Sequence, residues 1–415
     1  MREMKDSSVE WIGEIPAHWS PIRFRFVAKI TTGNQDTQNA DPDGEYPFYV
    51  RSPIVERCNN YTFDGKGILM AGDGAGAGRV FHLVDGKYAV HQRVYRFYDF
   101  KYMDPVLLKY YLENLFATVM DYGSAKTTVP SVRLPMIQDF VVCVPPKKEQ
   151  DNIVAVLNEK CAHVGSLISN VQAQIEKLKA YKQSLITEVV TKGLDPTVPM
   201  KDSGLEWIGE IPAHWEITRK LAFVTTEGIS YGIVKLFDPD DVNGVKVLRC
   251  SDVLEGWIKP DNIRTVMQEV SNEYARTILS GGEVVVNVRG SLGGCAVVPK
   301  TMAGYNIARE VAKIALNDSM CNRYVMYYLL SRCFVEYRTS RLSGSVYVGL
   351  NIELLSSCPL PNPDLAEQTA IADYLDEKCS QIDRLIAIKQ AKIEKLEQYK
   401  RSLIYECVTG KREVV

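Results

Sequence analysis

The sequence has 415 residues, enough for roughly two to three domains, and its 46% apolar and 24% charged residues are ordinary for a globular protein. No apolar run reaches the ~18–20 residues that span a bilayer, and the first residues lack the apolar core of a signal peptide, so a membrane or secreted protein is not expected. A formal net charge of −2 does not indicate nucleic-acid binding. Ten scattered cysteines without a C-x-x-C pair predict reduced thiols in a cytoplasmic protein and no metal site.

A short block opens the chain and returns in its middle. It reads MKDSSVEWIGEIPAHW at residues 4–19 and MKDSGLEWIGEIPAHW at residues 200–215, 196 residues later. We call these two copies the repeat blocks. They contain four of the five tryptophans, each block with one histidine beside its second tryptophan. Aromatic packing is the expected role of these side chains, with stacking on DNA as the alternative. Such a repeat predicts two related halves.

Each repeat block precedes a stretch that reads as mixed α/β. In both halves two strand-like segments are followed by one helix-like segment, at 67–84, 88–97 and 104–120 and again at 281–300, 304–316 and 322–338. A common offset pairs Gly74 with Gly290 and Arg93 with Arg309. A Gly-Ser-containing segment then follows in each half, at residues 122–132 and 342–352.

The sequence MAGDGAGAG at residues 70–78 resembles a glycine loop that holds S-adenosylmethionine or a dinucleotide. Such a loop must lead from a strand into a helix, whose N-terminus then faces the ligand. Here the alternating RVFHLV and a turn follow it, which predicts a hairpin. Three interpretations stay open: a cofactor loop, a structural tight turn, and a turn that lets the backbone approach DNA.

A second repeat ends each half and predicts a long helix. Residues 149–192 and 367–410 lack internal proline, and apolar residues recur in them at heptad spacing. The helices either pack on their own domains or, as we expect, pair with each other through matching seams. Cys161 and Cys379, at matching positions, read as core thiols. The seam residues that we predict to form the pair are Ile168, Ile175, Leu178, Leu185, Ile386, Ile393, Leu396 and Leu403.

Taken together, the chain resembles the specificity subunit of a type I restriction–modification system. The resemblance rests on the Trp-Ile-Gly-Glu-Ile-Pro blocks, the glycine-rich strand pair, the Glu-Gln helix entries and the paired helices, and it covers essentially the whole chain. It implies two pseudo-symmetric α/β (α+β) target recognition domains joined by two long antiparallel coiled-coil helices. It also implies that the chain catalyses nothing, uses no cofactor, and binds double-stranded DNA, two methyltransferase subunits and nuclease/translocase subunits.

These elements predict a division of the chain into five parts. The first target recognition domain spans 1–145 and its spacer helix 146–192, a linker spans 193–203, and the second domain and helix span 204–363 and 364–411. The paired part of the helices, residues 165–190, would be about 39 Å long at ~1.5 Å per residue. One turn of B-DNA is ~34–36 Å, so the helices would act as a spacer between two half-sites.

Polar residues in the segments that differ between the halves are the candidates for reading DNA. Arginine, lysine, asparagine and glutamine discriminate base edges, while serine and threonine more often bind phosphates. The acidic stretch at residues 238–241 is expected to face away from DNA. The candidates are Arg79, His91, Gln92, Arg93, Lys126 and Thr127 in the first half and Arg289, Ser291, Asn306, Arg309, Arg341 and Tyr347 in the second.

Two other function classes stay open from the sequence. A stand-alone S-adenosylmethionine-dependent DNA methyltransferase would use the glycine loop at 70–78, and a coiled-coil scaffold would have no role with nucleic acid. The near-neutral charge predicts weak DNA binding by the chain alone and a dependence on its partner subunits.

Overall fold

The computed structural model of the chain describes residues 2–123, 130–234, 244–342 and 349–414. It divides into two compact units, residues 1–172 with 390–415 as unit 1 and residues 173–389 as unit 2. Each unit holds one predicted recognition domain and part of both long helices. The domain boundaries at 145/146 and 363/364 stay predictions. No helix in the described ranges has the length and apolar character needed to cross a bilayer.

Unit 1 is built from small sheets, two α-helices of its own and parts of the two long helices that it shares with unit 2. The strands are β1 (Met4–Asp6), β2 (Glu14–Pro16), β3 (Ser20–Arg23), β4 (Lys29–Thr32), β5 (Tyr46–Tyr49), β6 (Glu56–Cys58), β7 (Phe63–Asp64), β8 (Gly67–Ala71), β9 (Phe81–Val84), β10 (Lys87–Val90), β11 (Val94–Tyr98) and β12 (Val141–Val144). The helices are α1 (Pro105–Gly123), α2 (Leu134–Gln138) and α3 (Lys147–Lys192).

An antiparallel sheet in the order β4-β11-β8-β9 forms the centre of unit 1. Apolar side chains of this sheet pack with α1, the first repeat block and the ends of both long helices, so that Ile68, Trp19, Leu107, Leu157 and Leu403 share one core. A second sheet, β6-β5-β10-β7, contains a parallel pairing of β10 with β5. The helix predicted at 104–120 is confirmed. The strand-like segments 67–84 and 88–97 each form two strands, β8 with β9 and β10 with β11, and β10 and β11 belong to different sheets.

Unit 2 repeats this architecture with other boundaries. The strands are β13 (Met200–Asp202), β14 (Glu210–Pro212), β15 (Glu216–Thr218), β16 (Ser230–Tyr231), β17 (Val245–Leu248), β18 (Thr265–Val266), β19 (Val284–Asn287), β20 (Cys295–Val297), β21 (Asn306–Ile307), β22 (Val311–Ile314) and β23 (Leu360–Asn362). The helices are α4 (Gln268–Glu273), α5 (Asn322–Leu330), α6 (Arg332–Leu342), α7 (Ile352–Ser356) and α8 (Leu365–Val408). The sheets β16-β22-β19-β20 and β18-β17-β21 correspond to those of unit 1.

The single helix predicted at 322–338 is wrong, because the segment forms two helices. Ser331 ends α5 with extended backbone, φ −71° and ψ 159°. Its hydroxyl donates to the carbonyl of Tyr328 at 2.7 Å, and the amide of Arg332 donates to the hydroxyl of Thr187 at 2.9 Å. Side-chain hydrogen bonds thus replace the intrahelical ones at the break.

The two long helices run antiparallel within each unit. In unit 2, Lys182 Nζ lies 2.7 Å from Asp383 Oδ2, and Lys389 Nζ donates to Gln174 Oε1 at 2.6 Å, so the numbers rise on α3 as they fall on α8. The residues predicted to form the seam are buried or half-buried, and their part in the pairing stays a prediction. Leu185 and Leu403 lie in the two main cores, Ile175 and Ile393 are buried, Leu178 and Ile386 pack against the core of unit 2, and Ile168 and Leu396 are half-buried. Cys161 and Cys379 are also buried, as predicted.

Each repeat block is an antiparallel hairpin held to the start of a long helix. The hairpins share one register, Met4 opposite Pro16 and Met200 opposite Pro212. The indole N–H of Trp19 donates to Glu149 Oε2 at 3.0 Å, and that of Trp215 donates to Glu367 Oε2 at 2.9 Å. Both indoles are buried, as aromatic packing predicted. We call each of these contacts a block–helix joint.

The glutamine after each of these glutamates fixes the neighbouring helix. Gln150 is buried, accepts a hydrogen bond from the amide of Asp104 at 2.7 Å and donates to the carbonyl of Tyr102 at 2.7 Å. Gln368 is buried in the same way and accepts from the amide of Cys321 at 2.8 Å. The repeated Glu-Gln pair therefore joins the repeat block and the helix α1 or α5 to one point of each long helix.

Candidate nucleic-acid interface

In unit 1 the glycine-rich loop and the turn that precedes β11 lie side by side. The loop spans residues 72–80 between the antiparallel strands β8 and β9. The amide of Gly72 donates to the carbonyl of Arg93 at 2.8 Å, and a Cβ on Gly72 would lie 2.8 Å from that oxygen. Only glycine allows this approach. The loop and the turn at residues 91–93 thus form one surface, which we call the loop–turn face of unit 1.

Charged side chains gather on this face around Asp73. Its carboxylate lies 2.9 Å from Arg51 Nη1 and 3.8 Å from Arg93 Nη1. The side chain of Arg93 is 65% exposed, while that of Asp73 is 20% exposed. Arg79 is exposed on the glycine-rich loop. Three arginines with one partly buried carboxylate give this surface the donors that phosphates and base edges accept.

His91 and Gln92 have different positions on the same turn. The His91 ring is buried and its Nδ1 accepts a hydrogen bond from the amide of Arg93 at 3.0 Å. Burial lowers the pKa of His91, and the nearby Arg51 charge lowers it further, so the ring is neutral and shapes the turn. Gln92 is exposed and donates to Asp36 at 2.8 Å. Of these two, Gln92 is the one available to DNA.

Unit 2 builds a loop–turn face from the same hydrogen bonds with other side chains. The amide of Val288 donates to the carbonyl of Glu310 at 2.8 Å, where Gly72 and Arg93 pair in unit 1. Gly74 and Gly290 both have positive φ, +73° and +75°, which confirms their predicted equivalence. The predicted pairing of Arg93 with Arg309 is wrong by one residue.

The correct equivalence between the turn of unit 1 and that of unit 2 follows from an isolated β-bridge at the start of each turn. Gln35 bridges His91 and Ile233 bridges Ala308, and the next residues, Gln92 and Arg309, donate from their amides to Gln35 and Ile233. Arg309 therefore takes the position of Gln92, and Glu310 that of Arg93. One residue is added between the glycine loop and the turn, which no local pattern in the sequence signals.

Three further candidates lie on or beside the loop–turn face of unit 2. Arg309 is exposed on the turn, and Ser291 is exposed on the loop after β19. Arg289 is exposed, with its guanidinium 5.7 Å from the ring centroid of Tyr231. A guanidinium over an aromatic face is attracted by the electrons of the ring, which favours this position of the side chain.

Asn306 is unsuited to contact DNA, because it is fully buried and its amide is already bonded. Its Oδ1 accepts from the Thr277 hydroxyl at 2.7 Å, and its Nδ2 donates to the Ser271 hydroxyl at 3.0 Å. The sequence could not distinguish this core asparagine from a surface one, since the strand β21 that carries it is only two residues long.

The remaining candidates have no confirmed place on either face. Arg341 is exposed near the end of α6, where its guanidinium lies 5.2 Å from the ring centroid of Tyr337. Lys126, Thr127 and Tyr347 lie outside the described residues, as does the acidic stretch at 238–241. Arg51 was missed by sequence reasoning, although it touches Asp73, because it lies in an unpatterned segment after β5.

The glycine-rich loop has the geometry of a hairpin connection, as its sequence predicted. It leads from β8 into β9 and not into a helix. The amides of Arg79 and Val80 both donate to the carbonyl of Gly76, at 2.9 and 3.0 Å. The amide of Gly74 donates to the carbonyl of Pro130, which ties the loop to the described segment that begins at residue 130. Within the described residues, no helix N-terminus follows this loop in the way that a nucleotide site requires, because the loop leads into β9.

Comparisons with known proteins show which family this chain is similar to. The family model "Type I restriction modification DNA specificity domain" matches residues 16–177 and again 216–398. The MjaVIII specificity subunit of a Methanocaldococcus jannaschii type I restriction enzyme is 26% identical over 418 residues, covering 96% of this chain and 94% of that one. The EcoDI specificity subunit of Escherichia coli is 23% identical over 394 residues, with coverage of 90% and 84%.

A solved chain shares the fold. It is described as "Structural basis underlying complex assembly and conformational transition of the type I R-M system", and it matches with a TM-score of 0.66 at 18% identity, over 96% of this chain and 99% of that one. The two matches of the family model cover well over half of the sequence, one in each half. The chain therefore belongs to the family of type I restriction–modification DNA specificity subunits.

Proposed function

We propose that the chain reads a bipartite, asymmetric DNA sequence, with one recognition surface in each half. The observation that carries this proposal is that one backbone arrangement occurs twice with different side chains. His91, Gln92 and Arg93 in unit 1 stand where Ala308, Arg309 and Glu310 stand in unit 2. Different donors and acceptors on the same scaffold select different base edges.

Several polar side chains on the two loop–turn faces are proposed to contact DNA. Arg79, Gln92 and Arg93 serve this role in the first half, and Arg289, Ser291 and Arg309 in the second. Lys126, Thr127, Arg341 and Tyr347 stay predictions from the sequence. His91 supports the turn, since its ring is buried and neutral.

The chain is proposed to act as a non-catalytic subunit in the cytoplasm. It recruits two methyltransferase subunits and, with them, nuclease/translocase subunits. The near-neutral charge supports this dependence, because a chain of formal charge −2 gains little from phosphate attraction alone. All ten cysteines are free thiols, which fits a reducing compartment.

The test is to map methylated sites in cells with and without this gene. Loss of one split motif on deletion, and a new motif when residues 20–145 are exchanged for those of a relative, would support the proposal. Methylation unaffected by either change would refute it. An extra helical turn in both long helices, placed near Gln172 and Gln390, is expected to lengthen the unread spacer and leave both half-sites unchanged.

The enzyme alternative is tested separately. The purified chain is incubated with labelled S-adenosylmethionine and DNA, with and without the methyltransferase subunit. Methyl transfer only in the presence of the subunit supports the proposal. Transfer by the chain alone would support a stand-alone methyltransferase, against which the strand-to-strand course of the glycine loop argues.

A further inference from the structure

A phenylalanine stands on the surface at the same place in both units. Phe26 is 61% exposed and Phe223 is 66% exposed, which is unusual for so large an apolar side chain. Each is followed by a buried valine, Val27 and Val224. The ring thus points outward at a position whose next residue anchors the backbone in the core.

Hydrogen bonds establish that the two positions are equivalent. Each ring belongs to a short 3-10 turn, Phe24–Phe26 in unit 1 and Leu221–Val224 in unit 2. The amide of Phe24 donates to the carbonyl of Phe140 at 2.7 Å, and the amide of Leu221 donates to that of Cys358 at 2.7 Å. The exposed phenylalanine follows two residues later in both cases.

Both rings lie at the end of the main sheet that is remote from the loop–turn face. In unit 1 the turn at 91–93 precedes β11, and beyond the other end of β11 the amide of Lys101 donates to the carbonyl of Val27 at 2.7 Å. In unit 2 the turn at 308–310 precedes β22, and beyond its other end Asn317 donates to the carbonyl of Val224 at 2.9 Å. Strands of this length keep the ring roughly 13–16 Å or more from the turn, at ~3.3 Å per residue.

The surroundings of each ring have the composition of an interface centre with a polar rim. In unit 1, Leu134 is 41% exposed at the start of α2. This helix lies beside the turn of Phe26, since the side chain of Arg25 donates to the carbonyl of Gln138 at 3.3 Å. Arg23 lies 3.7 Å from Asp139 on the same side. In unit 2, Lys220 Nζ lies 5.9 Å from the ring centroid of Phe223. An exposed apolar centre surrounded by charged and polar side chains has the composition of a protein interface.

We propose that Phe26 and Phe223 are anchor residues for two copies of one protein partner, the methyltransferase subunit, with one copy on each unit. The inference rests on the proposed function. Two half-sites of different sequence give no reason to keep the same ring at both positions, whereas one partner bound twice requires the same contact twice. A ring remote from the loop–turn face is also free to be buried while DNA is bound. Aromatic anchors of this kind supply much of the energy of an interface.

The experiment titrates the full-length chain with the methyltransferase subunit of the same restriction–modification system, by light scattering and by a labelled-subunit binding assay. The variants are F26A, F223A and the double variant, with F26L to restore an apolar anchor. I54A is the matched control, since Ile54 is 73% exposed elsewhere in unit 1. Each melting temperature is measured beside that of the wild type, and exposed positions are expected to leave it unchanged.

The expected result is two subunits on the wild-type chain and on I54A and F26L. Each single alanine variant should bind one subunit normally and the other at least tenfold more weakly, and the double variant should bind both weakly. Alanine variants that bind two subunits as the wild type does would overturn the inference and leave the proposed function intact. Failure of the wild-type chain to bind the subunit would overturn both.

Two other occupants are distinguished by the same variants. If the alanine variants assemble normally but lose DNA binding, the rings contact DNA and the inference is wrong. If the wild-type chain self-associates and the variants do not, the rings bind a second copy of the chain, and the inference is again wrong.

Discussion

The indole N–H of Trp19 donates to the carboxylate of Glu149 at 3.0 Å, across 130 positions of sequence. His18 Nε2 lies 2.5 Å from the other oxygen of the same carboxylate, and Arg2 pairs with it as well. The contact recurs in unit 2, where Trp215 and His214 both meet Glu367. One acidic residue at the start of each long helix therefore holds a repeat block in place.

Removing either glutamate should destabilise its unit. Glu149→Ala and Glu367→Ala each leave a buried indole N–H without an acceptor, at a cost of about 1–3 kcal/mol. Thermal or urea unfolding measures this loss. Glu159→Ala is the control, because that side chain is 72% exposed on the same helix and should change stability little. Equal effects of Glu149→Ala and Glu159→Ala would contradict a role for the block–helix joint.

The joint of unit 1 should also weaken in acid. Burial opposes ionisation of Glu149, but hydrogen bonds from Trp19 and His18 and the charge of Arg2 outweigh it and lower the pKa of Glu149 below its ordinary value of 4.5. The stabilisation is then fully present above about pH 4.5 and is lost as the pH falls through the lowered pKa. The stability difference between wild type and Glu149→Gln should therefore stay constant from pH 7 to 5 and shrink below 4.5. If the stability difference between wild type and Glu149→Gln grew on acidification, the pKa of Glu149 would be raised and not lowered by folding.

Each loop–turn face should control only its own half of the DNA target. Arg79→Ala and Arg93→Ala are expected to reduce methylation about tenfold or more through loss of one half-site, and Arg309→Ala through loss of the other. Methylation rates on DNA carrying one altered half-site at a time measure this. Lys66→Ala is the control in unit 1, as that exposed lysine lies 3.9 Å from Asp85 at the other end of the sheet. If a variant lost methylation equally whichever half-site was altered, its arginine would contact phosphates and not base edges.

Two glycines of the loop at 72–80 should respond differently to alanine. A Cβ on Gly76 would lie 2.6 Å from the carbonyl oxygen of Arg51, whereas Gly74 has open space but a φ of +73°. Gly74→Ala should cost about 1–2 kcal/mol of backbone strain, and Gly76→Ala more, because the segment of Arg51 must move. Melting temperatures of the two variants give the order, and a larger effect of Gly74→Ala would contradict it.

The repeats explain why so much of the fold could be predicted. Each element occurs twice with different letters, so that strands at 67–84 and 281–300 and the helix at 104–120 are supported by two independent patterns. The long helices were placed to within a few residues, Lys147–Lys192 and Leu365–Val408, because heptad spacing and flanking proline or glycine define them sharply.

The errors come from interactions that no local pattern records. Ser331 breaks a helix through hydrogen bonds that include Thr187, far away in sequence. Asn306 is buried because Thr277 and Ser271 satisfy its amide, and both are remote from it in the chain. The one-residue slip between Arg93 and Arg309 depends on bridges to Gln35 and Ile233, which only the folded chain brings together.

The two long helices end on the repeat blocks in similar ways but with different connections. In unit 2, a Cβ on Gly193 would lie 3.2 Å from the Trp215 ring, and the peptide chain runs on directly into that block. In unit 1, a Cβ on Gly410 would lie 3.1 Å from the Trp19 ring, with almost the whole polypeptide between them. Non-covalent contacts alone, among them the hydrogen bond from the Tyr405 hydroxyl to the carbonyl of Trp11 at 3.3 Å, thus hold a helix end against its hairpin. Proteolytic cleavage between residues 194 and 199 would accordingly leave the end of α3 packed on the repeat block of unit 2.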